Sequence, residues 1–198
     1  MFTGMINSIG SVARIDEIQD DRRITFVAGK LDMQDVKTGD SICCNGVCLT
    51  VIDISDKEFR TDISLETLSC TTFKDLVIGS QCNLEKAMKM DDRLGGHLVT
   101  GHVDGLGEII AIVDDARSSK FSIEVPQNLA KYICRKGSVS VDGVSLTVND
   151  VSDSSFDVNI IPHTLSETIF QSYQKGILVN IEVDIIARYL ERLLSDTH

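Results

Sequence analysis

The 198-residue chain contains no Trp, and aromatic residues make up only 5% of it. That leaves little material for stacking the bases of single-stranded nucleic acid or for an aromatic belt at a membrane interface, so the core is expected to be mostly aliphatic. Positive charge is also short: 19 Lys and Arg stand against 30 Asp and Glu, a net charge of −11. Binding to a phosphate backbone needs the opposite balance, so nucleic acid is not an expected partner. No apolar run approaches the roughly 18 residues of a membrane span, and no basic stretch leading into an apolar one follows Met1. A soluble, cytoplasmic protein without a membrane partner is expected. The six cysteines, at 43, 44, 48, 70, 82 and 134, lack the paired spacings of a disulfide scaffold, and reduced thiols are the expectation. Cys44 with Cys48 and His97 with His102 form neither a CxxC knuckle nor an HExxH helix, so no metal is expected. A Gly-rich strand-to-helix motif for a nicotinamide cofactor is missing as well.

What the chain does contain is a repeat of itself. Shifted by 97 residues, Gly46-Val47-Cys48-Leu49-Thr50-Val51 falls on Gly143-Val144-Ser145-Leu146-Thr147-Val148, and Thr67-Leu68-Ser69 falls on Thr164-Leu165-Ser166. Residues 41–85 share 19 identities in 45 ungapped positions with 138–182. The same shift aligns Gly4 with Gly101, Asn83 with Asn180 and Glu85 with Glu182. Two copies of one domain are therefore expected at 1–87 and 98–184, joined by a linker over 88–97 and followed by an unrepeated tail, 185–198.

Each copy reads as short strands between turn signals. Asn45-Gly46 and Asp142-Gly143 are the dipeptides of a two-residue type I′ hairpin, whose central residues both need positive φ. In the strand that follows, Val47, Leu49 and Val51 point one way and Cys48 and Thr50 the other, with Val144, Leu146 and Val148 against Ser145 and Thr147 in the second copy. Helical candidates inside the copies are short, near Leu65–Thr72 and Leu129–Cys134. The expected fold is all-β: a tandem duplication of a small closed β-barrel with a C-terminal α-helix. In that helix, apolar residues at 185, 186, 189, 190, 193 and 194 make a stripe opposite Arg188, Glu191 and Arg192. Such a stripe packs on its own domain or on copies of itself.

Positions kept in both copies suggest shared ligand contacts, and positions that differ suggest a division of labour. Gly4/Gly101, Thr50/Thr147 and Thr67/Thr164 are kept; taken singly, each is better read as serving a turn or a strand. Cys48 becomes Ser145, Met5 becomes His102, Glu66 becomes His163, Asn45 becomes Asp142 and Gly39 becomes Lys136. Singly, each has a plain structural reading as buried hydrophobe, core histidine or solvated charge. Together they offer a nucleophile and proton carriers.

The opening Met1-Phe2-Thr3-Gly4, the run Asn45 to Val51, the segment Gly95-Gly96-His97-Leu98-Val99-Thr100-Gly101-His102-Val103-Asp104-Gly105 and the run Asp142 to Val148 resemble the riboflavin synthase family over the whole chain, repeat included. The resemblance implies two Greek-key barrels and a homotrimer associated through the C-terminal helix. It also implies a cofactor-free dismutation: two 6,7-dimethyl-8-ribityllumazine molecules exchange a four-carbon unit, giving riboflavin and 5-amino-6-(ribitylamino)uracil. Association with lumazine synthase is a further partner it raises.

By the same resemblance, Cys48, His102 and Ser145 are the catalytic residues. A first pocket is expected from Gly4, Met5 and Ile6, then Leu49 and Thr50 beside Cys48, then Asp62, Ile63, Ser64, Leu65, Glu66 and Thr67. A second is expected from Gly101 and Val103 beside His102, then Lys136, then Leu146 and Thr147 beside Ser145, then Ile161, Pro162, His163, Thr164, Leu165 and Ser166. Ser41, Asn45, His97 and Asp184 complete the substrate-binding expectation. Non-catalytic lumazine proteins, which hold lumazine or flavin as a fluorescent antenna, share the fold and repeat; they resemble the enzyme with its working residues lost, whereas Cys48, His102 and Ser145 are present here.

Overall fold

The computed structural model of the protein describes residues 1–195, so the end of the expected 185–198 tail lies outside the described residues. Strands β1 (Ser8–Ile18), β2 (Asp21–Val27), β3 (Ser41–Cys44), β4 (Val47–Ile54), β5 (Glu58–Ile63) and β6 (Gln81–Lys86) close an antiparallel barrel in the order β1-β2-β5-β4-β3-β6. Strands β7 (Gly105–Asp115), β8 (Ser118–Glu124), β9 (Ser138–Val141), β10 (Val144–Ser152), β11 (Ser155–Ile160) and β12 (Leu178–Val183) close a second, read round as β7-β8-β11-β10-β9-β12. In each, the connection after the second strand skips past two neighbours, which makes a Greek key. Register slips between Val51 and Asp53 and between Val148 and Asp150 are repeat mates; an extra residue there bends the strand enough for the sheet to close.

The alternation read from β4 and β10 is what the barrels bury. Val47, Leu49 and Val51 lie in the first core and Val144, Leu146 and Val148 in the second, while Thr50 and Thr147 are exposed. Phe59 with Phe73 and Phe156 with Phe170 fill equivalent places in the two cores. Both hairpin turns have the positive φ pair of type I′, 44° and 80° at Asn45-Gly46 and the same at Asp142-Gly143.

Helix α1 (Leu65–Cys70) follows β5, with Ser64 as its cap. The expected helix at Leu129–Cys134 is not formed. Helix α2 (Gln127–Ala130) starts earlier, after Pro126, and the chain leaves it through i→i+3 bonds from Tyr132 to Leu129 and Ile133 to Ala130. The four-residue spacing of Leu129 and Ile133 marks two buried turn residues there rather than a helix face. Helix α3 (Pro162–Glu167) is the repeat mate of α1.

The barrels meet about a pseudo-twofold on which repeat mates face each other. Phe2 and Val99 form a two-bond bridge, 2.8 and 3.1 Å. The turn glycines Gly46 and Gly143 touch, leaving no room for a Cβ on either. Asn83 Nδ2 donates to Asp142 O at 3.0 Å and Asn180 Nδ2 to Asn45 O at 2.8 Å.

Helix α4 (Ile185–Ser195) turns its polar side to the second barrel: Arg188 pairs with Asp104, and Glu191 with Lys131 and Tyr132. Its apolar stripe faces outward, with Ile186, Tyr189 and Leu190 each more than half exposed. Packing of that stripe on its own barrel is thereby overturned. No helix among the described residues is long and apolar enough to cross a membrane.

Candidate active site

Cys48 and Ser145 point outward from β4 and β10 yet are half-buried, because each barrel lends a loop to the other. Gly101 O accepts the Cys48 N–H at 2.8 Å, and Gly4 O accepts the Ser145 N–H at 2.9 Å. Val103 packs on the first core and Ile6 on the second. This corrects the expected grouping: Gly4, Met5 and Ile6 belong with Ser145, and Gly101, His102 and Val103 belong with Cys48. The pseudo-twofold exchanges the two segments, a crossing that a linear alignment of repeats does not contain.

Each lent loop is pinned by a buried carboxylate. Glu85 accepts from Thr3 N at 2.7 Å, Thr3 Oγ1 at 2.6 Å and Gly4 N at 2.9 Å. Glu182 accepts from Thr100 N, Thr100 Oγ1, Gly101 N and His102 N. Burial pushes both carboxyls up and these bonds draw them back down. The reading of the sequence gave neither glutamate a role; their identity in both repeats is the signal that points to them.

On the second barrel, Ser145 Oγ lies 2.7 Å from His97 Nδ1. His97 is buried, which lowers its pKa, and Asp184 opposes that by its charge. Among the described residues Nε2 has no hydrogen-bond partner. A neutral imidazole on a serine hydroxyl is an arrangement that can take or give a proton. Asp184 also accepts the Ile186 N–H at the start of α4. His97 precedes the second copy and has no mate in the first, so comparison of the repeats left it without a role.

On the first barrel, Cys48 is half-buried and His102 exposed one residue beyond Gly101. The expected relay of His102 with Ser145 is thus divided within one chain: His102 follows the glycine that sits on Cys48, and His97 is on the Ser145 hydroxyl. Asp62 is exposed and held by Arg23 at 2.7 and 3.0 Å, which lowers its pKa. Ser64 caps α1 by accepting from Thr67 N at 3.2 Å; Leu65 and Glu66 are exposed on it and Thr67 is half-buried. Ile161, Pro162, His163 and Ser166 are exposed at the equivalent place, with Thr164 and Leu165 half-buried. The side chains of Leu49, Ile63 and Leu146 point into the cores, so only their backbone faces the site. Ser41 pairs with Thr50 at the edge of the first site.

Two expected residues stand apart. Asn45 is buried between the barrels, its Oδ1 accepting from Asn83 N at 2.7 Å and its carbonyl from Asn180; a turn residue that builds the pseudo-twofold presents nothing to a ligand. Lys136 is exposed in the turn before β9, its N–H on Val148 O.

The Lumazine binding domain family matches the chain twice, over residues 3–87 and 100–184. A riboflavin synthase of Photobacterium phosphoreum is 46% identical over 98% of this chain and 89% of its own length. That of Bacillus subtilis (strain 168) is 41% identical over 98% and 90%. The chain belongs to the riboflavin synthase family. Among solved structures, LumP complexed with 6,7-dimethyl-8-(1'-D-ribityl) lumazine superposes with a TM-score of 0.83 at 27% identity, covering 92% of this chain and 99% of that one. LumP complexed with riboflavin gives 0.85 at the same identity and coverage. LumP thus shares the doubled barrel with this chain, and the synthase relatives are the more similar in sequence.

Proposed function

We propose that the protein is a riboflavin synthase that dismutates two 6,7-dimethyl-8-ribityllumazine molecules into riboflavin and 5-amino-6-(ribitylamino)uracil. The observation that carries this reading is the pair of equivalent outer-strand positions, Cys48 and Ser145, each under a loop lent by the other barrel. A reaction of two identical molecules needs two related pockets with different chemistry. Holding both substrates in register converts a dilute encounter into a bound pair, worth roughly 7–11 kcal/mol when the geometry is right. Cys48 adds to C7 of one lumazine or takes a proton from a C7 methyl group, and Ser145 with His97 moves the proton of the C7 methyl group of the other. His102 serves the thiol side. The outward stripe of α4 supports association of three chains, in which the first barrel of one chain faces the second barrel of another and Lys136 reaches a neighbour's site. Asp62, Thr67 and Thr164 bind the ribityl hydroxyls.

The test is direct: purified protein is given the lumazine alone and riboflavin is followed by absorbance and fluorescence. Riboflavin and the uracil in equal amounts, with no additive, are expected. Tight lumazine binding with no product would overturn the enzyme reading and leave an antenna protein.

A further inference from the structure

The two-residue hairpin of β3 and β4 sets Cys43 directly opposite Cys48. The Cys48 N–H is committed to Gly101 O, so this facing pair exchanges no backbone hydrogen bonds. In such pairs Cα atoms lie about 4.5 Å apart and the Cβ atoms are at their closest. A disulfide accommodates Cα separations of roughly 4.4–6.8 Å, so the backbone already meets its main requirement. Both side chains leave the sheet on its outer face, where Cys48 packs against a small cluster of Cys43, Phe2 and Val99. The repeat mates are Ser140 and Ser145, in the same register on β9 and β10, so the paired thiols are peculiar to the first barrel.

We propose that Cys43 and Cys48 are a redox pair, which a low-molecular-weight disulfide converts into an intrachain disulfide that silences the first-barrel site. The silencing rests on the role given to Cys48 above; the pairing rests on the hairpin alone. The Cys48 thiolate attacks one sulfur of the small disulfide and expels one thiolate, leaving a mixed disulfide at Cys48. Cys43, giving up its proton, then attacks the Cys48 sulfur and expels the second. Two protein thiols are oxidised by two electrons, the small disulfide is reduced to two thiols, and the protons lost from the protein end on them. Burial fixes the order. Cys48 is half-buried, whereas Cys43 is covered and its thiol is pushed well up by that burial, so Cys43 is the resolving partner. Cys44 and Cys82 point into the barrel core, and Cys70 and Cys134 are exposed on other elements.

The full chain is treated with oxidised glutathione, its free thiols are counted, its peptides are mapped by mass without reduction, and riboflavin formation is measured before and after. Loss of two hydrogens from the peptide holding Cys43 and Cys48 is expected, with activity falling at least about tenfold and returning with dithiothreitol. Cys43→Ser, which copies the second barrel, is expected to keep its reduced activity and to trap glutathione on Cys48 instead; Cys43→Ala does the same should the hydroxyl disturb packing under Phe2. Only a glutathione adduct on the wild-type Cys48, unchanged thiols, or the same two-hydrogen loss in either Cys43 variant would overturn the pairing. A complete disulfide with undiminished turnover would overturn the silencing. A chain inactive before oxidation refutes the synthase reading, and the thiol map still decides the pairing.

Discussion

At the scale of single residues, the two barrels differ most where chemistry is placed on outward positions. Replacing the Cys48 thiol removes the one group at its site that Ser145 does not duplicate. Cys48→Ala is expected to lose most riboflavin formation, on the order of 10²-fold or more, while still binding a lumazine analogue in a fluorescence titration. Near-normal turnover would take the thiol out of the mechanism. A second residue-scale asymmetry lies between the barrels, where Asp142 accepts from Asn180 N at 2.9 Å and from the Tyr173 hydroxyl; the mate of Asp142 is Asn45 and that of Tyr173 is Leu76. Burial pushes the Asp142 carboxyl up to about 7, with the bonds from Tyr173 and Asn180 drawing it down. A carboxyl raised on folding binds its proton more tightly in the native state. Its contribution to stability is therefore greatest at low pH and declines as pH rises from the ordinary carboxyl range towards 7. Asp142→Asn, which restores the residue of the first barrel, is expected to raise the melting temperature at about pH 8 and to lose that advantage towards about pH 5. An advantage that grows on acidification would contradict this.

At the scale of elements, the lent loops depend on two glycines with positive φ. A Cβ on Gly101 would lie 2.5 Å from Cys48 Cβ and 2.8 Å from Cys48 N, closer than such contacts allow, at φ +81°. Gly39 has φ +96° and nothing within 4 Å, so alanine there meets strain alone. Gly101→Ala is expected to cost more stability than Gly39→Ala, by roughly 1–3 kcal/mol, and to weaken lumazine binding. Urea unfolding and ligand titration of both variants check it. Equal losses would mean that backbone strain, not the inter-barrel contact, decides.

At the scale of the whole molecule, α4 presents an apolar stripe while its polar side holds the second barrel. A helix this short does not persist in water on its own propensity, so packing must hold it. Ile186→Asp with Leu190→Asp would place two charges in any interface formed there. Single chains in sedimentation, with reduced riboflavin formation, are expected although no catalytic group has changed. Single chains with full activity would show that each carries a complete site and would refute pairing of pockets between subunits.

The duplication, the two hairpins, the face to which Cys48 and Ser145 point and the amphipathic tail were legible in the sequence, because each depends on residues a few positions apart or on identity at a fixed shift. Strand alternation and the φ > 0 requirement of Asn45-Gly46 are local physics, and so is the failure at Leu129–Cys134, where a four-residue spacing alone does not distinguish a helix from successive turns. Which loop covers which strand was decided only by tertiary structure. Gly101 sits on Cys48, Gly4 on Ser145 and Asn45 against Asn180 because a pseudo-twofold relates the barrels, and an axis of symmetry is a property of packing. The same holds for His97: it reaches Ser145 across 48 residues of chain, and no spacing rule connects them until the barrels close and dock.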